Sequence, residues 1–248
     1  DSLDRELSNL LGLVKQVYKV LGFKKTRVEL STRPTKYVGD IKTWNRAEEI
    51  LAEILKKNRI KFTINKGDGA FYGPKIDFHA EDSNKKSWQL ATIQLDFNLG
   101  PRLNATYINS QNKKEHPIII HRAILGSFER MFGILIEHYN GAFPIWLSPT
   151  QVKVISFNDD MISYSQKILR SLQTKGIRVE GDYRSETVQR KVRDAEKQKV
   201  PYIIVIGQKE KDKGTLAVRP RGGKPKFGLK MSDFVKKIKS EIKEKTIN

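Results

Sequence analysis

Two prolines bracket the segment Phe143-Pro144-Ile145-Trp146-Leu147-Ser148-Pro149, and the hydrophobic rhythm of the chain changes across it. Before it, strand-like runs are grouped around a few helical patterns and separated by short polar loops. After it, strand and helix patterns alternate. A chain of 248 residues can bury two cores of ordinary size, so the segment is read as a border between domains at 1–147 and 148–248. The first is expected to be α+β, an antiparallel sheet with helices. The second is expected to be α/β, a sheet layered with helices.

In the first domain, Leu7, Leu10, Leu11, Val14, Val17 and Leu21 recur at helical spacing, and Gly22 ends the run, which predicts a helix over 3–21. A second helix is predicted over Trp44–Lys57, with Ala47, Ile50, Leu51, Ile54 and Leu55 inward. Strands are predicted at 26–30, 62–65, 75–80, 87–98 and 117–121. Beyond His121 and Arg122 another helical pattern follows, with Leu125, Phe128, Phe132, Leu135, Ile136 and Tyr139 spaced by threes and fours. Strict alternation in 87–98 places Trp88, Leu90, Thr92, Gln94 and Asp96 on one face, and Gln89 with Ala91, Ile93 and Leu95 on the other. The second domain reads as strand 152–157, helix 160–175, strand 178–181, helix 185–199, strands 202–206 and 215–219, and helix 232–245.

The chain carries 47 Lys+Arg against 28 Asp+Glu, a net charge of +19. From Gln151 onward the balance is 24 against 12, so the basic bias is steeper in the second domain. Such an excess favours a polyanionic partner, because each neutralised phosphate releases condensed counterions. There is no cysteine, which excludes disulfides and thiolate metal ligands. No stretch reads as a membrane span or signal peptide, so a soluble intracellular protein is the expectation. A start at Asp1 rather than Met suggests a piece of a longer chain or a processed product.

Three stretches carry candidate chemistry. At the strand-to-helix junction, Gly126-Ser127 is small enough for a planar ligand to lie against the backbone. Arg130, one turn on, shares the helix face of Gly126 and can fork onto phosphate oxygens. Gly67-Asp68-Gly69-Ala70-Phe71-Tyr72-Gly73-Pro74-Lys75 could bring backbone, a phenol and an ammonium to a small polar ligand, or simply be a tight turn. Thr92 and Gln94 can present a hydroxyl and an amide from a sheet face. His121, taken alone, reads as a hydrogen-bonding residue at a strand end.

The strand followed by Gly126-Ser127-Phe128-Glu129-Arg130 on a helix resembles motif 3 of the class II aminoacyl-tRNA synthetases. With Gly69-Ala70-Phe71-Tyr72-Gly73-Pro74-Lys75-Ile76, Thr92-Ile93-Gln94-Leu95-Asp96-Phe97 and His121-Arg122-Ala123-Ile124-Leu125-Gly126-Ser127, the first domain resembles the threonyl-tRNA synthetases. Val200-Pro201-Tyr202-Ile203-Ile204-Val205-Ile206-Gly207, followed by Glu210 and Arg219, resembles the anticodon-binding domain shared by the threonyl, prolyl, glycyl and histidyl enzymes. The resemblance implies the later part of a class II catalytic domain followed by a whole anticodon-binding domain. It also implies a threonine–tRNA ligase activity: ATP-dependent activation of threonine and transfer to its tRNA (tRNA-Thr).

Residue by residue, it implies that Arg130 is catalytic and meets ATP together with Gln89, Thr92 and Ser127. Tyr72, Lys75 and Gln94 are implied at the threonine pocket, and His121 as one of three zinc ligands. Ser185, Glu210 and Arg219 are implied to meet the anticodon, with Ser185 standing where the family carries asparagine. For Gln89, either a bulge turns it toward Thr92 or its role differs. The expected cofactors are Zn2+ and Mg2+ with ATP; the expected setting is a cytoplasmic homodimer with no membrane association. The family's zinc-ligating cysteine, second zinc histidine, motif 1 and motif 2 have no counterpart in these 248 positions. The chain by itself is therefore expected not to complete adenylate formation. A non-catalytic, synthetase-derived RNA-binding or accessory protein is the competing expectation.

Overall fold

The computed structural model describes residues 2–247, so positions 1 and 248, the outer limits of the two expected domains, lie outside the described residues. The chain divides into two compact units, one running to His138 and the other starting at Tyr139.

The first unit contains α1 (Leu3–Val20), β1 (Thr26–Ser31), α2 (Ile41–Lys57), β2 (Thr63–Asn65), β3 (Lys75–Glu81), β4 (Ser87–Asp96), the single turn α3 (Leu99–Arg102), the small hairpin β5 (Tyr107–Ile108) and β6 (Lys114–Glu115), β7 (Ile119–Ala123) and α4 (Phe128–His138). α1 buries Leu7, Leu11, Val14 and Tyr18. It ends where Gly22 and Phe23 donate to the carbonyls of Lys19 and Tyr18, a helix stop sealed by edge-on packing of Tyr18 on Phe23. α2 starts three residues before the expected Trp44, because Asp40 caps it by accepting from the Thr43 amide at 2.9 Å.

The sheet runs β2-β1-β3-β4-β7, and β1, β3, β4 and β7 pair antiparallel. β2 departs from that pattern and pairs parallel to β1, since α2 between them returns the chain to the same end of the sheet. One face, with Leu30, Ile76, Phe78, Ala91, Ile93 and Leu95, is buried. Burial of such side chains contributes roughly 1.5–3 kcal/mol each. The opposite face is polar across four strands, with Ser31, Lys75, Gln94 and His121 aligned in one row.

The structure changes the reading of α4. Met131, Ile134 and Leu135 are its buried residues, whereas Phe128, Phe132 and Ile136 are exposed. This helix is apolar on more than one side, so periodicity could not say which side faces the sheet; the turn at Gly126 aims it.

The second unit contains β8 (Val152–Ser156), a 3-10 turn at Asp159–Met161, α5 (Ile162–Gln173), β9 (Val179–Asp182), α6 (Val188–Lys197), β10 (Tyr202–Ile206), α7 (Gln208–Lys213), β11 (Leu216–Pro220), β12 (Lys226–Leu229) and α8 (Met231–Lys243). Its sheet runs β12-β11-β10-β8-β9, parallel from β9 to β10 and antiparallel from β10 to β12. Along β10, Tyr202, Ile204 and Ile206 pack with Leu172 of α5 and Phe234 and Ile238 of α8, while Ile203 faces Ala195 of α6. Helices thus flank both faces, as expected of an α/β unit. Ile145 lies in this core, and Arg178 fastens the same segment by donating to the carbonyls of Trp146 and Ser148 at 3.0 and 2.9 Å. α7 and β12 were not foreseen: both are short, α7 being a local helix capped by Glu210 on the Gly207 amide and ended by Gly214, and β12 being formed by its pairing with β11.

Leu51, 0 % exposed in the middle of α2, is a sensitive gauge of the first core. Leu51→Ala is expected to lower unfolding free energy by about 2–5 kcal/mol, read as a shift in the urea midpoint of the first unit.

Candidate functional site

Asp77 is the hub of the polar sheet face. Its alternation with Ile76 and Phe78 on β3 turns it from the core toward this face, yet neighbouring side chains leave it only 1 % exposed. A buried carboxylate needs donors, and Asp77 has four. Oδ1 accepts from Gln89 Nε2 at 2.6 Å and Thr92 Oγ1 at 2.9 Å; Oδ2 accepts from Ser31 Oγ at 2.7 Å and from Lys75 Nζ. Lys75 also reaches Asp68 at 2.9 Å. Burial alone would lower the Lys75 pKa, but hydrogen bonds and charge from Asp77 and Asp68 outweigh it and hold the ammonium above its ordinary value. Sequence reasoning passed over Asp77 and Ser31, although the alternation of β3 carried the signal for Asp77.

A bulge decides the position of Gln89. β4 pairs Ala91 with Phe78 and Gln89 with His79, so Leu90 is an extra residue opposite a continuous β3. Leu90 and Ala91 are both buried, and the strand resumes its alternation one residue out of step. Gln89 therefore joins Thr92 and Gln94, its Nε2 lying 3.3 Å from Thr92 Oγ1. Strict alternation had put Leu90 and Trp88 on that face instead; the bulge removes both.

The glycine-aromatic loop comes down on the same face. Gly73 lies against β4, where a Cβ would sit 1.7 Å from the Leu95 carbonyl oxygen, so only glycine fits. This contact sets Tyr72, whose hydroxyl donates to Gln94 Oε1 at 2.7 Å. Burial, then the charge of Asp96, raise the Tyr72 pKa against the opposing effect of Lys75, so the phenol stays a donor at neutral pH. Tyr72 also packs edge-on to His121, with ring centroids 5.4 Å apart. His121 Nε2 lies 3.0 Å from Asp96 Oδ2, and Asp96 Oδ1 accepts from the amides of Asn98 and Leu99 at 2.8 and 3.0 Å. A carboxylate on one imidazole nitrogen is how metal-ligating histidines are commonly oriented, leaving Nδ1 as the ligating atom. His121 thus fits a one-ligand role. Among the described residues no group of three or more His, Cys, Asp or Glu side chains is placed to hold a metal, so other ligands would have to come from outside them.

At the junction of β7 and α4, Gly126 has φ +69°, the left-handed region that turns the chain out of the strand. Ser127 Oγ accepts from the Arg130 amide at 3.2 Å and caps α4. Arg130 Nη1 donates to the Gln89 carbonyl at 3.4 Å, which sets its guanidinium beside the bulge. The structure thus gathers Tyr72, Lys75, Gln89, Thr92, Gln94, His121 and Arg130 around one sheet face, with Ser127 at its border.

In the second unit Glu210 and Arg219 line one groove. Glu210 Oε2 accepts from the Gly207 amide at 3.1 Å, and Arg219 Nη1 meets Glu196 Oε1 at 2.9 Å. Ser185 is exposed in the loop before α6 and does not line that groove, although Val188 and Gln189 of α6 do. Beside Ser185, Arg184 grips Asp182 through two bonds of 2.9 and 2.6 Å.

The first unit is thus a largely antiparallel sheet with one polar face, and the second an α/β unit with a groove bordered by Arg193, Lys209, Lys213 and Arg219. The family model described as the tRNA synthetase class II core domain (G, H, P, S and T) matches residues 1–139, and the model for the anticodon binding domain matches residues 151–241. The chain belongs to the class II tRNA synthetase family.

Within it, the chain is similar to threonine–tRNA ligases. It is 46% identical over 245 residues to that of Acetivibrio thermocellus, covering 99% of this chain and 38% of the relative. With that of Symbiobacterium thermophilum it is 44% identical over 248 residues, again covering 38% of the relative. Among solved structures, the RNA binding domain of threonyl-tRNA synthetase from Cryptosporidium parvum superposes with a TM-score of 0.92 at 36% identity, over 96% of this chain and 60% of that one. A putative threonyl-tRNA synthetase from Aeropyrum pernix gives 0.77 at 28% identity, over 98% and 61%. The chain therefore spans less than two fifths of the length of these curated relatives.

Asp77→Ala strands the Ser31, Gln89 and Thr92 donors and leaves half-buried Lys75 with Asp68 as its carboxylate partner, and is expected to destabilise the first unit by roughly 1–3 kcal/mol in urea unfolding, the cost of unsatisfied polar groups. The Asp182–Arg184 pair predicts a pH effect. The Arg184 hydrogen bonds hold the Asp182 pKa below its ordinary value. Its stabilisation is therefore complete above the unfolded value of about 3.9 and lost as pH falls through the folded one. Asp182→Asn is expected to flatten the dependence of the urea midpoint on pH below about 4, with the slope at neutral pH unchanged.

Proposed function

We propose that the chain serves a threonine–tRNA ligase as the later, motif 3-bearing part of its catalytic domain and its anticodon-binding domain. The reaction joins threonine to ATP as an adenylate with loss of pyrophosphate, then transfers the threonyl group to the terminal ribose of tRNA-Thr with loss of AMP. What carries this reading is the single polar sheet face on which Gln89 and Thr92 meet at Asp77 and Arg130 reaches the Gln89 carbonyl, beside the Tyr72–Gln94 and His121–Asp96 pairs.

In the first step charge develops on phosphate oxygens, and fixed donors that need not reorganise are the effective catalysts. Arg130 binds the triphosphate through its planar fork of N–H donors. Gln89 and Thr92, held by Asp77, orient the nucleotide, and Ser127 borders it. Tyr72 and Gln94 orient threonine, with Lys75 supplying positive potential beside them. Asp96 fixes the ring of His121 so that Nδ1 can hold zinc. Zinc held by His121 and ligands from outside the described residues would supply Lewis acidity toward the amino and hydroxyl groups of threonine, and Mg2+ with ATP would supply charge neutralisation. In the second unit, Glu210, Arg219 and Ser185 read the edges of unstacked anticodon bases. The setting is a homodimer in the cytoplasm; no helix among the described residues is long and apolar enough to cross a membrane.

Equilibrium binding of the chain to tRNA-Thr, against the same tRNA with its anticodon replaced, tests this reading. The threonine anticodon is expected to bind more tightly. Arg219→Ala is expected to cost about tenfold in affinity or more, the worth of a hydrogen bond from a charged donor. Equal affinity for the two tRNAs would overturn the reading.

A further inference from the structure

The second sheet is unevenly covered. α5 and α8 pack on one face, whereas on the other α6 covers Ile155 and Ile203. Further along that face, Val205 of β10 and its partner Ala217 of β11 lie in a groove of ≈ 1150 Å³. Phe157 and Phe227 also line this groove, 59% and 73% exposed, together with the cations Arg193, Lys209, Lys213 and Arg219 and the carboxylates Glu196, paired to Arg219, and Glu210. Large apolar rings left in water beside an apolar floor mark a contact surface rather than a core. Cations around flat exposed rings match single-stranded nucleic acid, whose phosphates and base faces need both. With Arg219 paired to Glu196, the cations Arg193, Lys209 and Lys213 still outnumber the remaining carboxylate, Glu210, which favours a polyanion over an apolar peptide.

We propose that Phe157 and Phe227 are stacking platforms for unstacked bases of an RNA loop, while Arg193, Lys209 and Lys213 follow its phosphates. The inference rests on the RNA-binding reading above and adds two side chains that hold bases by their faces, leaving edges to Glu210 and Arg219.

The test uses the 248-residue chain and a short RNA hairpin whose loop carries a threonine anticodon, with 2-aminopurine placed at each loop position in turn. Stacking on a ring quenches 2-aminopurine. Phe157→Leu and Phe227→Leu keep the apolar bulk and remove the ring; each is expected to weaken binding about tenfold and to relieve quenching at its own position. Phe→Tyr at either site is expected to restore both. If the leucine variants bind and quench like the unchanged chain while Arg219→Ala weakens binding, the stacking role is wrong and the RNA-binding reading stands. Should the unchanged chain fail to bind the hairpin, or bind a duplex of the same length as tightly, the underlying reading fails and the stacking role with it.

Discussion

One buried carboxylate organises the first unit's polar face. Asp77 is almost wholly removed from water, and an isolated charge in that position would be prohibitive. Its four donors come from β1, β3 and β4, so satisfying it ties three strands into one arrangement and fixes the rotamers of Gln89 and Thr92. Lys75 shows which effect wins. Burial disfavours its charge, yet two carboxylates more than offset that, and a charged ammonium persists within a few ångströms of Tyr72 and Gln94. The surface is preorganised: its polar groups already point in fixed directions before anything binds.

The sheet separates the work of stability from that of binding by its pleat. Ile76, Phe78, Ile93 and Leu95 fill the dry face, while Lys75, Asp77, Thr92 and Gln94 alternate with them and supply the other. Leu90 interrupts this division once, and the interruption is useful. Because of the extra residue, Gln89 reaches Asp77 and its carbonyl meets Arg130, linking β4 to the helix after Gly126. In the second unit the two sheet faces divide the work differently: one is sealed by α5 and α8, and the other is left partly open beneath a basic rim.

Much of this architecture was legible in local pattern. The helix at Leu3–Val20 follows from apolar spacing, the antiparallel β3–β4 pair from the short loop between its strands, and the layered second unit from the alternation of strand and helix patterns, all properties of short segments. Thr92 and Gln94, on one strand, could be assigned to a common face for the same reason, whereas Lys75 joins them through the β3–β4 register. Asp77 stood in the same pattern and was missed only because its neighbours, rather than its own residue type, give it meaning. β12 was invisible because pairing with β11, not intrinsic preference, holds it, and the small hairpin and α7 are too short for an apolar period to register.

The sequence by itself determined the class of each unit, the order of its longer elements and the kinds of chemical group available, since periodicity and composition are local. Tertiary structure alone decided which groups meet. The Leu90 bulge exists only relative to β3, the buried side of α4, apolar on more than one side, depends on the turn that aims it, and the pairing of His121 with Asp96 depends on β4 and β7 lying side by side. Each of these is a relation between distant segments, with an energy set by register and burial that no single stretch of sequence contains.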